Sequence, residues 1–153
     1  RATRRAIQGE ALLAAPSLAV ILLDSSGLID LVVDGPTAQS VEDLLRGGDV
    51  GLPTPNLAEI VDVLIRRYGF DGDDVRRALE PLLASDLQPI APDARAAWDA
   101  GSIRALHYTR ETPLSMCDAL LIACARTTGS LASGDRLLVN VARDEGLDPI
   151  ELG

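Results

Sequence analysis

The chain has 153 residues, of which 47% are apolar and 24% are charged, and its formal net charge is −9. This length suits one domain, and this composition is too apolar for an intrinsically disordered chain. All 14 basic residues are Arg. Without Lys, the chain cannot be a phosphate-loop nucleotidase, a protein kinase or a Schiff-base enzyme, because each of these depends on a Lys side chain. The acidic balance also argues against a protein that coats duplex nucleic acid without specificity.

Short apolar segments alternate with amphipathic segments along the sequence. The first half predicts, in chain order, a strand at 18–23, helices at 25–33 and 36–46, a strand at 50–52, and helices at 54–68 and 71–85. The second half predicts a strand at 87–90, helices at 92–106 and 115–127, a strand at 131–133, a helix at 135–145 and a strand at 149–152. This alternation is typical of an α/β fold, here a single domain with a central, mostly parallel sheet of four to five strands flanked by helices.

The sequence also bears on domain organisation and location. Residues 1–17 are predicted to be an N-terminal extension of unknown role, and residues 18–153 are predicted to form the domain. The two cysteines, Cys117 and Cys124, lie two helical turns apart, about 10 Å along the axis, which is too far for a disulfide. A reduced, cytoplasmic chain is therefore expected. No apolar run approaches the roughly 20 residues of a membrane span, so no membrane association is expected.

Four carboxylates share one topological position in this pattern. Each of them directly follows a predicted strand or lies in the first turns of a helix: Asp24, Glu59, Asp118 and Asp135. In a parallel sheet these junctions lie at the carboxyl edge of the strands, where ligands of open α/β folds bind. The four side chains are therefore expected to come together although they are far apart in sequence.

Each acid also has a purely structural interpretation. Asp24 and Asp135 stand where helix N-caps are expected. Ser115 and Asp118 match a capping box. Glu59 falls opposite the apolar stripe of its helix, which places it in solvent. Asp118 is the most informative of the four, because it heads an otherwise uncharged, apolar helix.

A cluster of like charges needs a cation to offset its repulsion. A site built of carboxylates without His or Cys suits Mg²⁺ or Mn²⁺ rather than Zn²⁺. Such ions activate water and bind the oxygens of a phosphodiester, so metal-assisted phosphodiester hydrolysis is the chemistry that this cluster would serve.

Four segments, in this order and spacing, resemble the motifs of a known family. They cover residues 20–26 (VILLDSS), 55–64 (PNLAEIVDVL), 115–125 (SMCDALLIACA) and 131–138 (LASGDRLL). They resemble PIN-domain ribonucleases, and the short chain resembles the VapC-type toxins of bacterial toxin–antitoxin pairs. The resemblance extends from about residue 18 to 152. It implies a PIN-like nuclease domain that cleaves structured RNA, such as tRNA or rRNA, with Mg²⁺ or Mn²⁺.

The resemblance also implies roles for individual residues. Asp24, Asp118 and Asp135 would hold metal, while Glu59 would orient the attacking water. The expected supporting and RNA-binding residues are Ser26, Ser133, Arg136, Arg66 and Arg67, and Asn140 leaves a fifth metal ligand open. The family further implies a small antitoxin partner and a homodimer. An apolar groove that could receive the antitoxin, or could equally be ordinary core, is expected at Leu28, Ile29, Leu31, Val32, Val41, Leu44 and Leu45.

Two other functions were weighed against a nuclease. A binding module of the same fold with a degenerate active site, acting through protein contacts, stays open as the alternative. A phosphorylatable receiver domain is excluded, because its pocket requires a Lys partner. His107 is expected at a helix end, and as the single histidine it cannot form a histidine pair for ribonuclease chemistry. Trp98 is expected in the core or a dimer interface, and Met116 is expected to pack inside.

Overall fold

The computed structural model of the chain describes residues 19–153. The predicted extension at residues 1–17 lies outside the described residues. The helices are α1 (Ser25–Val33), α2 (Ala38–Gly47), α3 (Thr54–Arg66), α4 (Gly72–Ser85), α5 (Ala94–His107), α6 (Met116–Thr128) and α7 (Arg136–Asp144). The strands are β1 (Val20–Leu23), β2 (Val50–Pro53), β3 (Leu87–Ile90), β4 (Gly129–Ser133) and β5 (Ile150–Glu151). Every predicted element is present, with boundaries shifted by at most a few residues.

The strands form one sheet in the order β3-β2-β1-β4-β5, and all neighbouring pairs are parallel. The predicted α/β fold with a parallel sheet is therefore confirmed. β1 is central, and its residue Leu23 pairs with Ala132 of β4. The chain leaves β1 towards β2 on one side and reaches β4 later on the other side. Strand order thus reverses at the carboxyl ends of β1 and β4, which is the crevice where such folds bind ligands.

The sheet separates two apolar cores. Successive residues of a strand point to opposite faces, so Leu22 and Leu23 contribute to different cores. Leu22 packs in the core that contains the buried side of α6, including Leu121 and Ile122. Leu23 packs in the core that contains Ile60 of α3. Because α6 is apolar on nearly all sides, it is buried along most of its length and holds its N-terminus firmly at the sheet edge.

Three predictions about large side chains have mixed outcomes. Trp98 is 80% exposed and Met116 is 48% exposed, so neither packs in the core as expected. The alternative for Trp98, a dimer interface, stays a prediction. The reason for Trp98 is that α5 contacts the core through Ala100 and Ile103, which leaves its opposite face in solvent. His107 does end α5, and its Nε2 lies 2.6 Å from an oxygen of Glu145.

The predicted apolar groove is present only in part. Leu28 and Val41 are buried core residues. A groove of about 440 Å³ between α1, α2 and α4 is lined by Leu31, Val32 and Leu45 of the predicted set. The other lining residues are Glu42, Arg46, Ala78, Leu82 and Asp86. Among the helices at residues 19–153, none is both long enough and apolar enough to cross a membrane.

Candidate functional site

One cavity at the carboxyl edge of the sheet is lined by all four predicted acids. It measures about 210 Å³, and its walls come from the residues that follow β1 and β4, from the starts of α1 and α6, and from the middle and the end of α3. The lining residues are Asp24, Ser25, Ser26, Ile29, Glu59, Val63, Arg67, Ser115, Asp118 and Asp135. The fold therefore brings together side chains that are more than 100 positions apart in sequence.

Asp24 is the most enclosed of the four acids, with 3% of its surface exposed. It occupies the N-cap position of α1, but its side chain makes no capping hydrogen bond. Its Oδ2 instead accepts hydrogen bonds from the hydroxyls of Ser26 (2.5 Å) and Ser133 (2.8 Å). Burial raises the pKa of Asp24 to about 6, and the charge of Asp118 adds to this rise. The hydrogen bonds of the Asp24 carboxylate therefore orient it within the cavity and do not cap α1.

Asp118 combines a structural role with a place in the cavity. The Ser115 hydroxyl accepts from the Asp118 N–H (3.0 Å), and the Asp118 carboxylate accepts from the Ser115 N–H (3.2 Å). The predicted capping box is therefore present. Burial raises the pKa of Asp118, although the hydrogen bonds from Ser115 oppose this, and the charge of Asp135 raises it further. Asp118 therefore caps its helix and also faces the cavity, and its catalytic role stays a prediction.

Glu59 lies in the cavity and not in solvent, so its placement from periodicity is wrong. It is half-buried, and its Oε2 accepts a hydrogen bond of 2.6 Å from the Ser25 hydroxyl. The helical wheel showed correctly that this face of α3 is turned away from the apolar core. It could not show that the first turn of α1, with Ser25, lies against that face.

Asp135 closes the cavity from the β4 side. It is the N-cap of α7, as predicted, and its Oδ1 accepts from the Leu137 N–H at 2.7 Å. Its own N–H donates to the Ser133 hydroxyl (2.9 Å), which in turn donates to Asp24. Ser133 is fully buried and joins the ends of β1 and β4 at the site.

Two further polar residues of the site were not predicted. The Asn56 side chain is fully buried and donates to the Ser25 hydroxyl at 2.9 Å. The signal for Asn56 was present, because an amide in the first turn of a helix commonly serves as a cap or a polar contact. Ser25 gave no separate signal, since Ser26 beside it matched the expected hydroxyl.

The thiol of Cys117 lies close to several of the acids, and its pKa reflects their negative charges. Burial raises the pKa of its thiol to about 11, and the charges of Glu59, Asp118 and Asp24 each raise it further. Three of the acids are therefore close enough to influence one thiol. At neutral pH this thiol stays protonated and is a poor nucleophile.

The predicted RNA-binding arginines have different surroundings. Arg67 lines the acidic cavity, and in the described part of the chain it makes no ion pair. Arg66 is tied to Asp62 on the surface, with a closest distance of 2.8 Å. Arg136 lies in a neighbouring cleft that it shares with Asn140.

The donor set of the cavity suits a hard cation. Apart from the Arg67 guanidinium, which cannot ligate a cation, every polar side chain that lines the cavity offers oxygen atoms. The mutual repulsion of Asp24 and Asp118 is what a divalent ion would relieve. Within residues 19–153, no three acidic, histidine or cysteine side chains converge as a ready cage around one point. Mg²⁺ does not need such a cage, because it usually takes one or two carboxylates and keeps several waters. The residues therefore fit a Mg²⁺ or Mn²⁺ ion that is bound by few side chains and keeps several of its waters.

Comparison with known proteins identifies the family. The sequence matches the PIN domain over residues 21–144, which is most of the chain. The chain therefore belongs to the PIN domain family, and the resemblance found from its motifs is confirmed. No curated protein sequence matches the chain.

Solved structures share the fold. VapBC2 from Rickettsia felis, bound to a DNA fragment from its promoter, aligns with a TM-score of 0.66 and 15% identity over 88% of this chain and 99% of that chain. FitAcB from Neisseria gonorrhoeae aligns with a TM-score of 0.60 and 22% identity over 86% and 97%. A toxin–antitoxin complex from Klebsiella pneumoniae aligns with a TM-score of 0.54 and 19% identity over 75% and 86%. At these identities the likeness establishes the fold.

Proposed function

We propose that the chain is a metal-dependent endoribonuclease and the toxin of a type II toxin–antitoxin pair. One observation carries the nuclease proposal: four carboxylates from four separate segments line a single cavity at the edge where strand order reverses. A buried acid with a raised pKa beside a second acid is costly to the fold, so its presence in a cleft points to function. PIN domains are typically nucleases, which agrees with this chemistry.

The chain's own residues have distinct roles in the proposed hydrolysis. Asp24, Asp118 and Asp135 would hold Mg²⁺ or Mn²⁺, directly or through water, and the bound ion would supply charge neutralisation and activate a water. Glu59, which is fixed by the Ser25 hydroxyl, orients the attacking water and receives its proton. The hydroxyls of Ser26 and Ser133 keep the buried Asp24 carboxylate in one orientation.

Arginine side chains are proposed to hold the RNA backbone. The guanidinium group is planar and pairs with phosphate through two hydrogen bonds. Arg67 lines the acidic cavity, and Arg136 lines the cleft that contains Ser133 and Gly134, next to Asp135 in sequence. Arg66 is a weaker candidate, because Asp62 already occupies its guanidinium.

The toxin part of the proposal draws on the structural neighbours, which include a toxin–antitoxin complex and VapBC2. A small antitoxin would be the protein partner, and a homodimer the expected assembly. The groove between α1, α2 and α4 offers an apolar surface for such a partner. Structured RNA, such as tRNA or rRNA, is the proposed substrate, and the cytoplasm the proposed location.

The direct test is cleavage of total RNA by the purified, antitoxin-free chain with Mg²⁺, Mn²⁺ or EDTA. Discrete cuts should require the metal and disappear in Asp24→Asn and Asp118→Asn. Asp148→Asn, which removes an exposed carboxylate outside the cavity, should cut like the wild type. Cutting that persists in EDTA would disprove metal dependence.

A second candidate is the catalytically degenerate binding module. It is favoured by the observation that, in the described residues, no three potential ligands converge around one point. A folded wild-type chain that cuts no RNA pool with either metal would favour this module over the nuclease.

A further inference from the structure

The buried side-chain amide of Asn56 uses its nitrogen in a hydrogen bond, whereas its oxygen has no partner among the described residues. The residue lies in the first turn of α3 with no exposed surface. Its Nδ2 donates to the Ser25 hydroxyl at 2.9 Å. In the part of the chain that the structure describes, its Oδ1 is buried without any hydrogen-bond partner.

The Ser25 hydroxyl connects Asn56 to Glu59 through two hydrogen bonds. A hydroxyl has one proton to donate and lone pairs that accept. Because the Asn56 amide donates to Ser25, the hydroxyl accepts there. Its own proton has two acceptors within reach, the Glu59 Oε2 at 2.6 Å and the Asn56 backbone carbonyl at 3.5 Å, and the much shorter contact is the one to Glu59. If Asn56 offered its oxygen instead, it would compete with Glu59 for that proton. The amide therefore fixes the direction of the Ser25 hydroxyl.

Packing does not account for an Asn at this position. A buried amide oxygen without a partner lowers stability, whereas a Leu, which has the same branching and the same number of side-chain heavy atoms, would avoid that cost. The amide donor itself is therefore the property that the site uses.

We propose that Asn56 is a positioning residue for Glu59 and acts through Ser25. This inference rests on the proposed nuclease function, in which Glu59 orients the attacking water. The Asn56–Ser25–Glu59 relay runs from the buried side of α3 through the first turn of α1 to the cavity. It keeps the carboxylate of Glu59 in the cavity, although the face of α3 that bears it is turned away from the core.

Kinetics of RNA cleavage test the relay with matched variants. Asn56→Ala and Asn56→Leu both remove the donor, and Leu fills the space that Ala leaves empty. We expect each to lower kcat about 10- to 100-fold with little change in KM, because misplacement of a catalytic group costs rate rather than binding. Ser25→Ala should cause the same loss, and Asn56→Ala with Ser25→Ala should lose no more than either alone. Ser130→Ala removes a hydroxyl near the amino end of β4, at the other end of the strand from the cavity, and should change neither kcat nor KM.

A second measurement is independent of activity. The side-chain amide proton of Asn56, observed by NMR in metal-free protein, should shift in Ser25→Ala and stay unchanged in Ser130→Ala. Wild-type kcat in folded Asn56→Leu, losses that multiply in the double variant, or an unmoved amide resonance in Ser25→Ala would each overturn the relay. A wild-type chain that cuts no RNA would instead overturn the proposed function, and the amide resonance alone would then decide the relay.

Discussion

At the residue scale, each acid of the cavity serves the fold and the site to a different degree. Asp118 and Asp135 cap helices and face the cavity, so a structural interpretation does not exclude a functional one. Asp24 stands at an N-cap position but caps nothing, and its burial is a cost to the fold. Glu59 shows the limit of periodicity, because a helical wheel describes one helix and not its neighbours.

The raised pKa of Asp24 predicts that this residue destabilises the metal-free protein at neutral pH. Its pKa is about 6 in the folded protein against an ordinary 3.8, so the folded state holds the proton more tightly than the unfolded state. The resulting stabilisation is complete below about pH 4 and is lost as pH rises through about 6. We therefore expect Asp24→Asn to be more stable than wild type by about 3 kcal/mol at neutral pH, with little gain near pH 4.

Urea unfolding in EDTA at both pH values measures this difference. Asp148→Asn is the control, because it removes an equal charge from an exposed position. A neutral-pH stability of Asp24→Asn below that of wild type would show that the buried carboxylate is not a net cost.

Substitutions of Glu59 and Asp118 are predicted to differ in their effect on metal binding, although both lower catalysis. Glu59→Gln removes the base but keeps an oxygen that can accept from Ser25, so we expect kcat to fall about 100- to 10,000-fold while Mn²⁺ affinity stays close to wild type. Asp118→Asn should lose Mn²⁺ affinity together with activity. Electron paramagnetic resonance measures the Mn²⁺ affinity of each variant, and an RNA cleavage assay measures its activity. A Glu59→Gln variant that cuts at the wild-type rate would remove Glu59 from the mechanism.

At the element scale, the site depends on where helices begin relative to strand ends. The pairing of Leu23 with Ala132 brings the residues after β1 next to the end of β4, so that Asp24 can accept from Ser133. The sequence predicted these elements well, because turn residues and apolar periodicity are local signals. It did not predict the contact between α1 and α3, since that contact depends on how two helices pack across a strand.

The start of α6 offers a test at this scale. Ser115→Ala removes the hydroxyl that accepts from the Asp118 N–H, and we expect a loss of about 1 kcal/mol in the free energy of unfolding. The Asp118 carboxylate keeps its bond from the Ser115 N–H, so Mn²⁺ binding should be retained. Thermal unfolding with and without Mn²⁺ measures both quantities. Loss of Mn²⁺ binding without loss of stability would assign Ser115 to the site and not to the helix.

At the scale of the whole molecule, the fold class followed from composition and alternation, and the acidic cluster followed from topology. Four motifs in order were enough to identify the family before any coordinates, because their spacing reflects which strand ends meet. What the sequence could not provide is the network behind the acids. Ser25 and Asn56 are ordinary residues in sequence, and only the packing of α1 against α3 makes them partners of Glu59.

The whole account depends on hydrolysis by an activated water at the acidic cavity, and the chemistry of the RNA ends tests this most directly. Attack by water with departure of the 3′ oxygen leaves a 5′-phosphate and a 3′-hydroxyl. End-group analysis of the fragments made by the wild-type chain with Mg²⁺ should find these two groups at every cut. Fragments that carry 2′,3′-cyclic phosphates and 5′-hydroxyls would show that the ribose hydroxyl is the nucleophile, and would contradict the account.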